Sequence, residues 1–307
     1  MAITGFTGTT ELADSVAAEQ ISGRVVPAAY ARVVADAFLA ALGGHDYIGG
    51  SKTRSYTKLA KLSAAGLTEG TDAAPTTLSD TQRSITISEH GVGVAYGDLL
   101  DVASSTPQGR DRVRGLMGRA YADRVESQIL AAATTFTDQV GISNSNITLD
   151  VYLQAVHELE ENEADGPYFS VLHTSPIHIL RTLVGGTSAN AGPVFMREGV
   201  LSRIGPAMSN SFAMSLYETD VFKSTNCPLN TSAVDRIGVM LPMSAEYFPL
   251  IRLIGIPGDG PFAGSPWDGR YTEERDESGR LSEMWMTGAW GTDTIDLTYG
   301  VGIISLA

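Results

Sequence analysis

The chain has 307 residues and a formal net charge of -14, with a pI near 4.7. That balance excludes a protein that coats nucleic acid, because displacing counterions from phosphates takes a surface rich in Lys and Arg. With 43% hydrophobic and 18% charged residues, the composition is that of a globular protein with a sizeable core, in one large domain or two to three small ones.

Residues 1–10 are small and polar, as in a flexible end. Gly23 and Pro27 interrupt the helical pieces of residues 11–42, since proline cannot donate a helix hydrogen bond. From Ala28 to Leu42, the spacing of Tyr30, Val33, Val34, Ala37, Phe38 and Leu42 predicts a short amphipathic helix. Gly43-Gly44 ends it, and Gly49-Gly50 gives a second hinge.

A long two-stranded hairpin is predicted next. Its first arm is Lys52–Leu62, its tip Ala64–Pro75 and its return arm Ser84–Tyr96. Strand alternation puts Lys52, Arg54, Tyr56 and Lys58 on one face and Thr53, Ser55, Thr57 and Leu59 on the other. Neither reads as a core face, so the hairpin is expected to lie on another subunit. Three of the chain's four lysines, Lys52, Lys58 and Lys61, form a basic strip here; the fourth is Lys223. Lysines on an exposed strand block unwanted pairing. In an acidic protein they can also dock an arm electrostatically onto an acidic neighbouring copy. The tip beyond the strip, with Glu69, is acidic and glycine-rich.

A long helix follows, capped by Ser104, Ser105 or Thr106 with Pro107 in its first turn, and running to about Ala133. Val113, Met117, Tyr121, Val125 and Ile129 make one i+4 row, flanked by Leu116 and Ala120. The rest reads as an α/β region. A helix runs from Asn146 or Thr148 to Glu161, a buried strand over Tyr168–His173, and a helix from Ser175-Pro176 to about Val184. Strands are expected near Ser211–Val221, Arg236–Leu241 and Leu250–Ile256, with loops at Gly185–Pro206 and Gly258–Gly269. A terminal pair near Met284–Thr287 and Thr294–Leu306 is expected to form a hairpin arm or sheet edge. The charge run Arg270–Arg280 reads as a solvated hairpin tip.

Signals for chemistry are weak. His157-Glu158-Leu159-Glu160-Glu161 lacks a second histidine at i+4, so a zinc ion would have too few ligands. His173 and His178 have no ligand-spaced partners. Gly91–Gly97 has one glycine gap too long for a dinucleotide fingerprint and lies within a strand. There is no phosphate loop and no nucleophile elbow. Cys227 stands beside Pro228 in a polar loop without a neighbouring histidine; a single cysteine allows no intrachain disulfide and suits a reducing cytoplasm. No signal peptide and no apolar run of about 20 residues is present, so a soluble protein made in the cytoplasm is expected. No catalytic, cofactor-binding or metal-binding residue is assigned.

The order of parts carries a resemblance. An arm with a short helix is followed by a basic hairpin with the acidic tip Leu67-Thr-Glu-Gly-Thr71. Then come a spine helix ending in Tyr121-Ala-Asp-Arg-Val-Glu-Ser-Gln-Ile-Leu-Ala131, an α/β region, and the strand Tyr299-Gly-Val-Gly-Ile-Ile-Ser305. This resembles the major capsid protein of tailed bacteriophages, the Hong Kong 97-type capsid fold, an α+β architecture. The resemblance implies an N-terminal arm (residues 1–50), an extended β-hairpin loop (51–97), a peripheral domain with the spine helix (98–145), an axial α/β domain (146–261) and return strands of the peripheral domain (262–307). It implies hexamers and pentamers closing into an icosahedral shell around double-stranded DNA, held without sequence-specific binding. Lys52, Arg54, Lys58, Lys61 and Glu69 would be inter-subunit contacts. The last asparagine is Asn230, so the covalent lysine–asparagine cross-link of some members is not expected. The chain starts directly with the arm, so a separate scaffolding protein, a portal and a cement protein are the expected partners, and the virion the expected location. An encapsulin-like shell around an enzyme cargo shares the fold; an α/β enzyme is the reading from another class.

Overall fold

The computed structural model describes residues 34–47, 51–62, 64, 77–97, 109–185, 211–217, 219–230, 234–255 and 270–306. Their helices are α1 (Ala35–Ala41), α2 (Gly109–Ala131), α3 (Leu149–Glu161) and α4 (Thr174–Gly185). Their strands are β1 (His45–Tyr47), β2 (Thr53–Leu59), β3 (Asp80–Thr86), β4 (Ser88–Gly97), β5 (Asp138–Val140), β6 (Tyr168–Leu172), β7 (Phe212–Leu216), β8 (Thr219–Lys223), β9 (Asp235–Pro242), β10 (Leu250–Ile254), β11 (Arg270–Asp276), β12 (Leu281–Thr294) and β13 (Val301–Leu306). They form a six-stranded sheet in the order β5-β13-β9-β6-β8-β7 and a five-stranded sheet in the order β1-β10-β12-β11, with β4 also on β12. The hairpin β2-β3 is a separate ribbon.

The six-stranded sheet is covered on both faces, and its residues show why. In β6 all five residues are buried. Tyr168 and Leu172 point with Met240 of β9 toward α3 and α4, where Tyr152, Ala155, Val156 and Leu159 present one helical stripe. Thr148 starts that helix by accepting the Val151 amide at 3.2 Å. Phe169 and Val171 point the other way, with Ile237, Val239 and Leu241, into a second core. There Phe38 of α1 stacks on Phe169 with centroids 3.9 Å apart and meets Phe222 edge-on at 4.9 Å. The short helix of the N-terminal arm thus plugs the junction between the two large sheets.

Helix α2 spans that junction. Its 23 residues make a rod of about 35 Å at 1.5 Å per residue. Met117 packs with Met284, Val92 and Val94 against the five-stranded sheet, while Tyr121, Val125 and Ile129 enter the core around α1. Of the predicted row, Met117, Tyr121, Val125 and Ile129 are buried and Val113 is half-buried, while the flanking Leu116 and Ala120 are exposed. The predicted caps Ser104, Ser105 and Thr106 and the loops near 186–206 and 258–269 lie outside the described residues.

Four expectations are corrected. The return arm of the hairpin is Asp80–Thr86; from Ser88 onward the chain leaves it and pairs with β12 over ten residues, Gly97 opposite Leu281 to Ser88 opposite Trp290. The reason lies in Gly91-Val92-Gly93-Val94: its valines face α2, and its glycines leave room for β12 side chains, with the Trp285 ring lying across Gly93. That is the pattern of a half-buried sheet, not of a solvated arm. Second, the single strand expected over Ser211–Val221 is two antiparallel strands, β7 and β8, reversing near Tyr217 at a φ of 43°. Third, the terminal strands are not a hairpin. β12 is the centre of the five-stranded sheet, whereas β13 pairs β5 and β9 in the six-stranded one. Val301 and Ile303 are fully buried there, with cover that a sheet edge lacks. The chain therefore returns to both sheets, not to one. Fourth, Cys227 does lie in the loop after β8, but its side chain is buried in the core instead of facing solvent.

Candidate inter-subunit arm

The ribbon β2-β3 is paired into neither large sheet, yet one of its faces rests on its own chain. Register pairs Arg54 with Ile85, Tyr56 with Arg83 and Lys58 with Thr81. At the base, Ile85 is buried against Leu253, with Tyr56, Ile87 and Ile251 around it. The Thr86 carbonyl passes so close to β12 that a Cβ on Gly291 would meet it at 2.3 Å. The sequence expectation that neither face is a core face is thus corrected: the hidden apolar residue was Ile85, on the return strand. The opposite face is a ladder of hydroxyls, with Thr53 on Thr86 at 2.8 Å and Ser55 on Ser84 at 2.9 Å.

Charged pairs continue the attachment outward. The Arg54 guanidinium donates to Asp46 Oδ1 at 2.8 Å and to the Tyr47 carbonyl at 2.9 Å. The Tyr56 hydroxyl donates to Asp46 Oδ2 at 2.7 Å; burial and that acidic acceptor push its pKa up and keep it neutral. Arg83 donates to the Thr294 carbonyl at 3.3 Å and hydroxyl at 3.1 Å. Lys58 pairs with Asp296, and Lys61 with Glu163. Lys52 is exposed and has no ion pair with a described residue. Glu69 lies outside the described residues.

Of the five predicted contact residues, then, Arg54, Lys58 and Lys61 have partners within the chain. The acceptors Asp46, Asp296 and Glu163 escaped the sequence reading, because they lie 8, 238 and 102 positions away from their partners. The signal that was readable was the two-residue spacing of Arg54, Tyr56 and Lys58, which puts all three on one face.

A second charged centre fixes α1 below the arm. Glu126 of α2 is fully buried, and its carboxylate accepts the amides of Val34 and Ala35 at 3.0–3.1 Å and that of Asp36 at 3.5 Å. Burial pushes its pKa up to about 7, aided by the Asp36 charge and opposed by those amides. Asp36 accepts from Arg252 and from His45, each at 2.9 Å. Burial raises the Asp36 pKa, but the His45 hydrogen bond and the Arg252 charge outweigh it and leave it lowered. Arg252 in turn sits over the Trp290 ring at 5.5 Å. One buried network therefore joins α1, α2, β1, β10 and β12.

The residues weighed for chemistry are not brought together. Cys227 donates weakly to the Val171 and Ser224 carbonyls, and burial, then the Glu126 charge, push its thiol pKa far up. A thiol held protonated is a poor nucleophile. His157 pairs on the surface with Glu161 at 3.3 Å. Burial, then the Arg236 charge, lower the His173 pKa.

No protein-family model matches the chain, and no curated protein matches it in sequence. Solved structures do match in fold, with probability 1.00. A structure from Mycobacterium phage Che8 superposes with a TM-score of 0.65 at 12% identity, over 93% of this chain and 96% of that one. The capsid of the cyanophage P-SCSP1u gives 0.66 at 11%, over 97% and 94%. The acid-stable capsid of the Helicobacter pylori bacteriophage KHP30 gives 0.63 at 10%, over 99% and 98%. The architecture is the α+β Hong Kong 97-type capsid fold expected from the sequence.

Proposed function

We propose that this chain is the major capsid protein of a tailed bacteriophage, and that its copies form the hexamers and pentamers of an icosahedral shell around double-stranded DNA. The observation that carries this is the reach of the likeness: the fold is shared with phage capsids across nearly the full length of both chains, 97% and 94% in one case and 99% and 98% in another. The charge of -14 suits a wall that contains DNA without adhering to it. The role is structural, not catalytic. Scaffolding, portal and cement proteins are its partners, and the virion is its location.

Within this reading the arm's residues divide. Arg54 and Lys58 set the arm on its own subunit. Lys52, Lys61 and the acidic tip around Glu69 meet the neighbouring copy. Lys61 suits that role because it and Glu163 are 75% and 67% exposed, so their pair is readily exchanged.

Electron microscopy and sedimentation of particles, from cells infected with the phage that carries this chain and from expression of the chain alone, test the proposal. Closed icosahedral particles whose contents absorb as nucleic acid and resist nuclease are expected from infected cells. A monodisperse chain of 32.5 kDa that never assembles would overturn it. Particles filled with a protein cargo would make the shell an encapsulin-like one instead.

A further inference from the structure

Lysine 58 does more than approach an acid. Asp296 is almost enclosed, its side chain 11% exposed against 43% for Lys58. Its other oxygen accepts the Thr298 amide at 3.0 Å and hydroxyl at 2.7 Å. That hydroxyl also takes the Lys58 ammonium at 3.5 Å. The ammonium stands 5.2 Å from the centre of the Tyr299 ring, which Tyr247 braces edge-on at 5.3 Å. Burial raises the Asp296 pKa, but the Lys58 and Thr298 donors more than cancel this and hold it low. The acid is thus ionised and fixed in place.

We propose that Asp296, Thr298 and Tyr299 form a lysine socket that takes Lys58 of the same chain, setting the angle of the arm before any neighbouring copy arrives. Three features separate it from an ordinary surface pair. The acid is mostly withdrawn from water, so screening is weak. Its second oxygen is already held, so the acid itself loses little freedom when the lysine binds. The aromatic ring adds attraction that a carboxylate alone lacks. The socket also continues a line of anchors on one face of the ribbon: Ile85 on Leu253, Arg83 on Thr294, Arg54 and Tyr56 on Asp46, then Lys58. An arm pinned at successive points cannot pivot at its base. The acceptor lies between β12 and β13, so the socket ties the arm to the segment that joins the two large sheets. Its meaning for assembly, an arm presented to the neighbour at a preset angle, rests on the capsid reading; the socket itself does not.

A zero-length carbodiimide tests both halves. The reagent activates the Asp296 carboxyl, the neutral form of the Lys58 amine attacks the activated carbonyl, and an amide forms as the urea by-product leaves. On unassembled subunits, peptide mass spectrometry should find residues 58 and 296 joined within chains that still migrate as monomers. On particles assembled from equal amounts of light and isotopically heavy subunits, the joined peptides should be light–light or heavy–heavy only. Hybrid pairs making up about half of the total, the random expectation for exchange between copies, would show the socket filled by a neighbour and overturn the proposal. So would failure of the 58–296 amide to form in either sample while the exposed Lys61–Glu163 pair reacts. If no particles form, the capsid reading fails, and the unassembled sample still decides the socket.

Discussion

Glu126→Gln should change how stability depends on pH, with a sign set by burial. An acid whose folded pKa lies above its unfolded value binds its proton more tightly when folded. Stability from this site is therefore fully present below the unfolded value of 4.5 and falls as pH rises toward the folded value of about 7. At about 1.4 kcal/mol per pH unit, the full span is worth about 3 kcal/mol. Between pH 5.5 and 8, a range above the chain's pI, the loss is about 2 kcal/mol. Glutamine has nearly the shape of the protonated acid and does not titrate. Relative to the native chain, the variant should gain about 2 kcal/mol on going from pH 5.5 to 8. Urea unfolding of unassembled subunits at both values, followed by tryptophan fluorescence, measures this, and taking the difference between the two proteins cancels the titrations that are not coupled to Glu126. A difference unchanged with pH, or moving the opposite way, would mean that the amides at the start of α1 outweigh burial and hold Glu126 ionised.

Further outcomes test the same framework. Arg252→Met leaves Asp36 with only His45 in a buried site, and should cost about 3–5 kcal/mol in urea unfolding, as removal of one partner of a buried pair does. Gly291→Ala sets a Cβ against the Thr86 carbonyl; because that atom is backbone, the arm base must shift, at about 1–3 kcal/mol, with faster amide exchange over Asp80–Thr86 as the local sign. Reversing charge at Lys52 and Lys61 together should leave the unfolding free energy of the subunit within about 0.5 kcal/mol, since both are exposed. The same change should lower the yield of sedimenting particles; normal yield would remove these two residues from the interface.

What could be read from the sequence followed the range of its signals. Helix α3 was legible nearly to its ends, because its start at Asn146 or Thr148 and its end at Glu161 carry local signals; the structure decides for Thr148. The buried row of α2 was legible for the same reason. The end of the hairpin was not, because Ile85 and Ile87 look alike in sequence, and only the distant Leu253 and β12 decide where the ribbon stops and the sheet begins. The two terminal strands misled in the same way: their proximity in sequence suggested a hairpin, but β12 has β4 and β10 as partners and β13 has β9. Charge was the least legible of all. The basic strip was visible, but its acceptors were not: Arg54 has Asp46, Lys58 has Asp296 and Lys61 has Glu163 within the same chain.

If the chain assembles as proposed, that relocation alters what the arm contributes to assembly. An arm free in solution would lose its conformational freedom on binding, at about 1–2 kcal/mol for each residue fixed, and a neighbour would have to offset that loss at every contact. Here the paired residues of β2 and β3 are already ordered by their own subunit, so most of the cost is met in folding. The attachment also weakens outward. At the base Ile85 is buried; at Lys58 the acid is enclosed but the lysine is partly wet; at Lys61 both partners are largely exposed. Ion pairs lose value as they gain exposure. The gradient leaves the direction of the arm fixed and its distal end adjustable. On the capsid proposal, a shell that closes with both five-fold and six-fold rings needs that combination, because one subunit must meet its neighbour at more than one angle.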